Sequence, residues 1–224
     1  MYKAGDNTFL KDNMNKNITT TIIMLLMIVG FCSILEANRK PNDLTVRLSL
    51  GVAPGIDEVE GSSVEDDSGS RLEILTVKRF WSGNNPQGGN RPQIGGSIGG
   101  GIFLGRHSMS EPGLEVDMTA FGTIVQGGLV VDMGRGITLE LTPYLGTGTA
   151  HNEAEGFDDG TGPYYLYGIK GSAFILFNEN IEIGVDVGYE GFTHDQEHDF
   201  GSETEEITYE GSGAHVALII GMTF

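Results

Sequence analysis

Cysteine, positive charge and long apolar runs are all scarce in this sequence. One cysteine occurs in 224 residues, so no disulfide can form within the chain and its stability must come from elsewhere. Lysine and arginine number 13 against 31 aspartate and glutamate residues, which gives a net charge of −18. An acidic chain repels the phosphates of nucleic acids, and we therefore expect no nucleic-acid partner.

The one apolar run, residues 22–31, lies near the N-terminus and is too short to be an ordinary membrane-spanning helix. A short basic stretch precedes it and Leu35-Glu36-Ala37 follows it, which is the layout of a secretory signal peptide. We expect residues 1–37 to be this signal, with Met14 as an alternative start, and residues 38–224 to form one domain. Cys32 would leave with the signal, although a lipoprotein anchor at Cys32 is the alternative.

No apolar run of helix length follows residue 37, so only a closed barrel could hold the mature chain in a membrane. The last eleven residues, Ala214–Phe224, have the pattern that such a barrel needs. Every second residue from Ala214 to Phe224 is apolar, which gives a strand one apolar face. About ten such residues cross a bilayer as a tilted strand.

The same alternation recurs along the mature chain and predicts eight strands. The second strand is the least regular, and we expect a bulge near Leu75 because the apolar parity changes there. The predicted strands are 44–53, 71–81, 93–104, 114–133, 137–150, 164–177, 181–192 and 207–224.

The breaks between these strands alternate in length and charge. Three of the longer ones, 54–70, 151–163 and 193–206, are strongly acidic and are expected to be solvated loops, whereas 134–136 is a tight turn. Long outer loops and short periplasmic turns are typical of bacterial outer-membrane barrels. The sequence therefore predicts an all-β fold, a transmembrane antiparallel up-and-down barrel, in preference to a water-soluble barrel.

Outward aromatic residues and inward charges are expected at specific positions. An aromatic girdle at the two membrane interfaces is predicted for Tyr165, Tyr167, Tyr189 and Phe177. The inward parity is otherwise small and polar, which predicts a packed, hydrophilic lumen. Its charges must be paired or solvated, so we expect ion pairs that close the lumen, with an open conduit as the alternative. The predicted lumen network consists of Arg47, Asp132, Glu140, Lys170, Glu182 and Asp186, with Glu73 as a further candidate.

Two fragments of the sequence match functional motifs. Ser97 lies in a G-x-S-x-G pattern, but in a glycine-rich strand where no strand-to-helix turn is expected. His194 and His198 have a spacing that binds metal on a helix, yet they lie in a predicted acidic loop. We therefore expect no catalytic, cofactor-binding or metal-binding residues.

Eight alternating strands, a signal peptide and the stretch Leu141-Thr142-Pro143-Tyr144-Leu145-Gly146-Thr147-Gly148 carry a family resemblance. Residues 44–224 resemble the small outer-membrane barrel superfamily of OmpA transmembrane domains, OmpX and opacity-like surface antigens. The resemblance implies a multi-pass protein of the bacterial outer membrane, with membrane lipids as its surroundings and the barrel-assembly machinery as its insertion partner. The terminal Phe224 resembles the insertion signal.

The same resemblance implies a non-catalytic surface role, such as adhesion or envelope integrity. Acidic loops favour a cationic or protein ligand outside the cell. The alternatives are a lipid A-modifying enzyme, for which His107-Ser108 is the nearest catalytic fragment, and a narrow pore.

Overall fold

The computed structural model describes residues 44–64, 66–81, 92–111, 114–154, 160–177, 180–199 and 204–224. The expected signal peptide and Cys32 lie outside the described residues, as does the start of the expected domain. Residues 82–91, between the second and third predicted strands, lie outside them too.

Eight long strands form a closed antiparallel ring, which confirms the predicted fold class and strand number. Each long strand pairs with its neighbours in sequence, and the first and last long strands pair with each other from Thr45↔Thr223 to Val52↔Val216. The ring strands are β1 (Leu44–Ala53), β4 (Asp66–Trp81), β5 (Gln93–Glu111), β6 (Leu114–Gly134), β7 (Ile137–Ala154), β8 (Gly160–Leu176), β9 (Ile181–Asp199) and β10 (Thr204–Thr223). Two-residue strands β2 (Glu58–Val59) and β3 (Ser62–Ser63) lie between β1 and β4.

The outer face of the barrel carries a belt of exposed apolar side chains. On β10, Leu218 is 69% exposed and Ile220 58%, while the alternate residues Ala217 and Ile219 are buried. Such a belt would be costly in water but is what a bilayer requires of a barrel wall. Among the described residues, no helix is long and apolar enough to cross a membrane.

The bulge expected near Leu75 is absent from β4. The register of β4 runs without a shift against both β1 and β5. Leu75 and Val77 are buried inside the barrel, at 2% and 0% exposure, and the outward parity continues through Ile74 and Phe80. The prediction was wrong because it took the apolar side chains of this strand to share one face.

The acidic segments expected to be solvated loops are largely strand. β9 continues to Asp199 and β10 begins at Thr204, so most of 193–206 is a hairpin that extends the barrel wall. β7 likewise continues to Ala154, and β8 begins at Gly160. The strands therefore extend beyond the length needed to cross the membrane, and their outer ends carry the charge.

A strap of residues 54–64 completes the wall where β1 ends, short of its neighbours. Ile56 in the strap is fully buried in the barrel. The amide of Asp57 donates to the carbonyl of Glu210 on β10 at 3.0 Å. The carbonyl of Pro54 accepts from His107 Nδ1 at 2.7 Å. This segment was also expected to be a solvated loop, and the burial of Ile56 shows that it is part of the core.

Much of the outer half of the interior is apolar, in contrast to the hydrophilic lumen that we expected, although His107, Asn152 and His194 are buried there as well. The ring of Phe103 lies against Gly122, where an added Cβ would come within 2.8 Å of the ring. Gly148 packs against Gly122 in turn, and a Cβ added to Gly148 would come within 2.5 Å of the Cα of Gly122. Such close approach requires glycine at both positions. The buried apolar cluster includes Ile56, Leu75, Val77, Phe103, Met109, Val116, Met118, Ala120, Ile124, Tyr144, Ala150, Tyr164, Leu166, Phe192 and Tyr209.

Candidate functional site

A four-residue ion cluster lies inside the barrel and joins strands from opposite walls. Arg47 on β1 makes two hydrogen bonds to Glu140 on β7, at 2.7 and 2.9 Å, and one to Glu182 on β9 at 2.8 Å. Arg79 on β4 bonds the same two carboxylates at 2.7 and 2.8 Å. Phe174 packs under Arg47, with the guanidinium carbon 4.2 Å from the ring centroid. Two cations and two anions thus neutralise one another inside the barrel.

A second ion cluster is built around Glu73. The Glu73 carboxylate lies 2.7 Å from Arg71 Nε and 3.0 Å from Lys170 Nζ, and Lys170 also pairs with Asp186 at 3.3 Å. Glu190 accepts from Arg71 and from the hydroxyl of Tyr144. His215 completes the cluster, with Nδ1 at 3.6 Å from Glu190. All of these side chains are buried.

The structure places five of the six predicted network residues inside the barrel, namely Arg47, Glu140, Lys170, Glu182 and Asp186. Asp132 differs: it is half-buried near the end of β6, and its Oδ1 accepts a hydrogen bond from the amide of Gly134 at 2.7 Å. This contact fixes the Gly134–Gly136 turn, in which Arg135 has a φ of 58°. Asp132 therefore has a turn-capping role in place of the expected lumen ion pair.

Arg71, Arg79 and Glu190 were missed as members of the network. Arg71 and Arg79 share the parity of Leu75 and Val77, and the expected bulge obscured the fact that all four face inward. Glu190 lies at the same parity as Glu182 and Asp186 on β9, so strict alternation along that strand was the signal that could have found it.

The two clusters and the apolar half fill the described interior, which argues against an open conduit. Side chains of Arg47, Glu140 and Glu182 are only 1–3% exposed. Phe103, Tyr164 and Phe192 are each 1% exposed further out. A barrel of eight strands has an interior that side chains can fill, and these residues fill it.

The fragments considered for catalysis do not assemble into a catalytic site. Ser97 is buried within β5, where it pairs with Arg79 and Gly128, so it does not lie on a turn. His107 points inward, where its Nε2 meets the hydroxyl of Tyr164 at 3.0 Å, whereas Ser108 faces outward and bonds Ser68 at 2.8 Å. Adjacent strand residues point to opposite faces, so this pair cannot act together.

His194 and His198 lie on a strand and not on a helix. His194 is buried, and its Nδ1 donates to the carbonyl of Pro163 at 2.9 Å. Four residues of strand separate the two backbones by about 13 Å, so the helical spacing that suits metal binding does not apply to this pair. Within the described residues, no group of three or more His, Cys, Asp or Glu side chains could hold a metal ion.

The outer ends of β9 and β10, together with the strap, form a surface that we call the acidic wall. Glu197 lies directly opposite Glu206 in the β9–β10 pairing, and Glu210 lies directly opposite Glu58 of the strap. Like charges at directly opposed positions destabilise a sheet. The members of the acidic wall are Asp57, Glu58, Glu60, Asp195, Glu197, Glu206 and Glu210.

The predicted girdle residues are exposed at both ends of the apolar belt. Tyr165 and Tyr167 are each 51% exposed and Tyr189 is 58% exposed, all toward the outer end. Phe177 is 74% exposed at the opposite end. At that same end, Phe224 is 67% exposed and its amide donates to the carbonyl of Leu44 at 3.0 Å. The belt and its aromatic borders place the barrel across a bilayer, and barrels of this kind belong to bacterial outer membranes.

No protein-family model matches the sequence, and no curated protein matches it. Among solved structures, the outer membrane protease OmpT of Escherichia coli is 10% identical, with a TM-score of 0.45, over 84% of this chain and 99% of that one. Neisserial surface protein A is 13% identical, with a TM-score of 0.40, over 81% and 97%. The attachment invasion locus protein Ail of Yersinia pestis is 18% identical, with a TM-score of 0.32, over 81% and 99%.

These low scores transfer no detail of any site to this chain. The closed ring of eight antiparallel strands, its apolar belt and its filled interior are the features of a small transmembrane β-barrel fold.

Proposed function

We propose that this chain is a non-catalytic surface protein whose acidic wall binds a cationic partner outside the cell. The observation that carries the proposal is the presence of two like-charge pairs at directly opposed positions in the sheet, Glu197 with Glu206 and Glu210 with Glu58. Each pairing costs stability in the isolated protein, and a bound cationic group would relieve it. Locally unfavourable arrangements of residues such as these occur most often at functional sites.

The rigid scaffold below the wall supports this role. Two buried ion clusters and an apolar core join all eight ring strands, so the wall projects from a fixed base. Binding residues are commonly presented by a rigid scaffold in this way. The filled interior does not favour the narrow-pore alternative, and the separation of His107 from Ser108 removes the fragment that favoured a lipid A-modifying enzyme.

We further propose that the barrel-assembly machinery inserts the chain, with Phe224 as part of the signal. This proposal rests on the sequence resemblance and on the exposed position of Phe224 at the end of the closing strand.

Neutralising the acidic wall tests the binding proposal. The variant Glu58→Gln, Glu197→Gln, Glu206→Gln, Glu210→Gln should bind a fluorescent lysine octapeptide about tenfold more weakly than the parent, because the focused negative potential is lost. Fluorescence anisotropy on the refolded full barrel measures the affinity. Parent binding should also fall between 0.1 and 1 M salt, as screening shortens from about 10 to about 3 Å.

A matched control removes the same number of charges elsewhere on the outer surface. The variant Asp67→Asn, Glu115→Gln, Asp117→Asn, Glu153→Gln should bind the peptide within about threefold of the parent. Equal losses in the two variants would mean that net charge alone attracts the peptide, and the acidic wall would then be rejected as a site.

A further inference from the structure

The outward face of β8 has no charged side chain anywhere along Gly160–Leu176. Its only charged residue, Lys170, points into the lumen. This is unusual in a chain of net charge −18, because the outer ends of β6, β7 and β10 carry outward carboxylates such as Asp117, Glu153 and Glu210.

The outer half of this uncharged face and its neighbour β9 carry the outward tyrosines of the described residues. Tyr165 and Tyr167 lie on β8 and Tyr189 on β9, and each is more than half exposed. The other described tyrosines, Tyr144, Tyr164 and Tyr209, are buried inside the barrel. The outward tyrosines are thus concentrated on one side of the barrel.

The three tyrosines are positioned by their neighbours on the same face. Tyr167 lies over Gly191 on β9, where an added Cβ would come within 2.7 Å of the ring. The hydroxyl of Tyr189 donates to Ser212 Oγ on β10 at 3.1 Å. Tyr165 pairs directly with Thr147 on one side and Thr193 on the other. Ring faces and aliphatic hydroxyls therefore lie side by side, and we call this surface the tyrosine patch.

We propose that the tyrosine patch binds the sugar headgroup of a glycolipid in the outer leaflet. The patch lies directly above lipid-facing Ile169 and Val187, at the depth where headgroups meet the barrel wall. A phosphate headgroup would call for a nearby cation, and the described outward faces of β8 and β9 carry none. A sugar presents apolar C–H faces and hydroxyls together, which match amphipathic tyrosine rings and threonine hydroxyls.

This inference is independent of the cationic partner proposed for the acidic wall, because the two surfaces differ in charge and in depth. The test reconstitutes the refolded full barrel in nanodiscs of phosphatidylglycerol with a minor fraction of monoglucosyl diacylglycerol of the same acyl chains. Native mass spectrometry after transfer to detergent counts the glycolipid molecules that remain on the barrel. Heat-modifiable migration on gels checks that each variant is folded.

The parent should retain the glucosyl lipid in preference to phosphatidylglycerol. The variant Tyr165→Leu, Tyr167→Leu, Tyr189→Leu should lose this retention at least about tenfold, because three ring contacts are removed. The corresponding Tyr→Phe variant keeps the rings and should lose about threefold, as only hydroxyl contacts are removed.

A control variant removes three exposed rings outside the patch: Phe80→Leu, Phe121→Leu, Phe177→Leu. It should retain the glucosyl lipid as the parent does. Equal retention by the Tyr→Leu variant and the parent would overturn the proposal, and so would equal retention of the two lipids by the parent. If native mass spectrometry showed a dimer of the parent that was absent from the Tyr→Leu variant, the tyrosine patch would bind a second copy of the chain and not a glycolipid.

Discussion

Replacing Glu140 with alanine should destabilise the barrel by about 3–5 kcal/mol, because it leaves buried cations without their partner. Glu140 accepts two hydrogen bonds from Arg47 and one from Arg79, and its side chain is 1% exposed. Glu182 remains, but one carboxylate cannot neutralise two guanidinium groups. Urea unfolding in lipid vesicles, followed by the fluorescence of the single tryptophan, measures the change in the free energy of unfolding.

The exposed ion pair between Arg106 and Asp117 is the control for this prediction. Its partners lie 3.1 Å apart, at 68% and 40% exposure, so Arg106→Ala should cost no more than about 1 kcal/mol. The double variant Arg47→Met, Glu140→Leu should be less destabilised than Glu140→Ala, because it removes a cation together with the anion. If Glu140→Ala and Arg106→Ala lowered the free energy of unfolding by similar amounts, burial would not be what makes the lumen cluster stabilising.

The outward face of the barrel could be predicted from the sequence because lipid imposes a period of two. Every outward position within the belt of β10, from Val216 to Phe224, is apolar, and the structure exposes all five side chains. Lipid offers no partner for a charge, so the pattern has almost no exceptions at these depths. The tight turn at 134–136 could also be predicted from the sequence, because glycine readily adopts the positive φ that Gly134 and Gly136 have in the structure.

The strand ends beyond the belt could not be predicted by the same rule. Above the membrane the outward positions meet water, and they carry residues such as Glu197 and Glu206 that are equally common in loops. What keeps these segments in strands is the inward parity, where His194, Gln196 and Tyr209 are buried. The inward positions of these strand ends carry both polar and apolar residues, so the sequence shows no clear alternation there.

The interior was predictable only in part, because two physical solutions coexist in it. Lys170 and Glu182 followed from the expectation that inward charges pair. The burial of Phe103 and Ile124 could not be predicted in this way. Apolar side chains at inward positions do not contact lipid, and they fill the outer half of the interior by packing alone. The strap is hardest of all to foresee, because Ile56, Val59 and Val64 are scattered through an acidic segment and form no regular alternation.

Placing an arginine in the middle of the apolar belt tests the membrane orientation on which these inferences depend. Leu141 is 50% exposed at the centre of the lipid-facing half of β7. The variant Leu141→Arg should lose about 2–4 kcal/mol of stability in lipid vesicles, since an arginine at the bilayer midplane is poorly solvated. The same tryptophan-monitored urea titration reports the loss.

His151 provides a control on the same strand and the same outward face, ten residues nearer the outer end. The variant His151→Arg should change stability by only about 0–1 kcal/mol, because the new side chain meets water and lies beside Glu153. The two variants add the same group to the same face and differ only in depth. If both variants lost the same amount of stability, the belt would face something other than lipid. The same conclusion would follow if the protein were a folded monomer in detergent-free buffer and Leu141→Arg lost as much stability there as in vesicles.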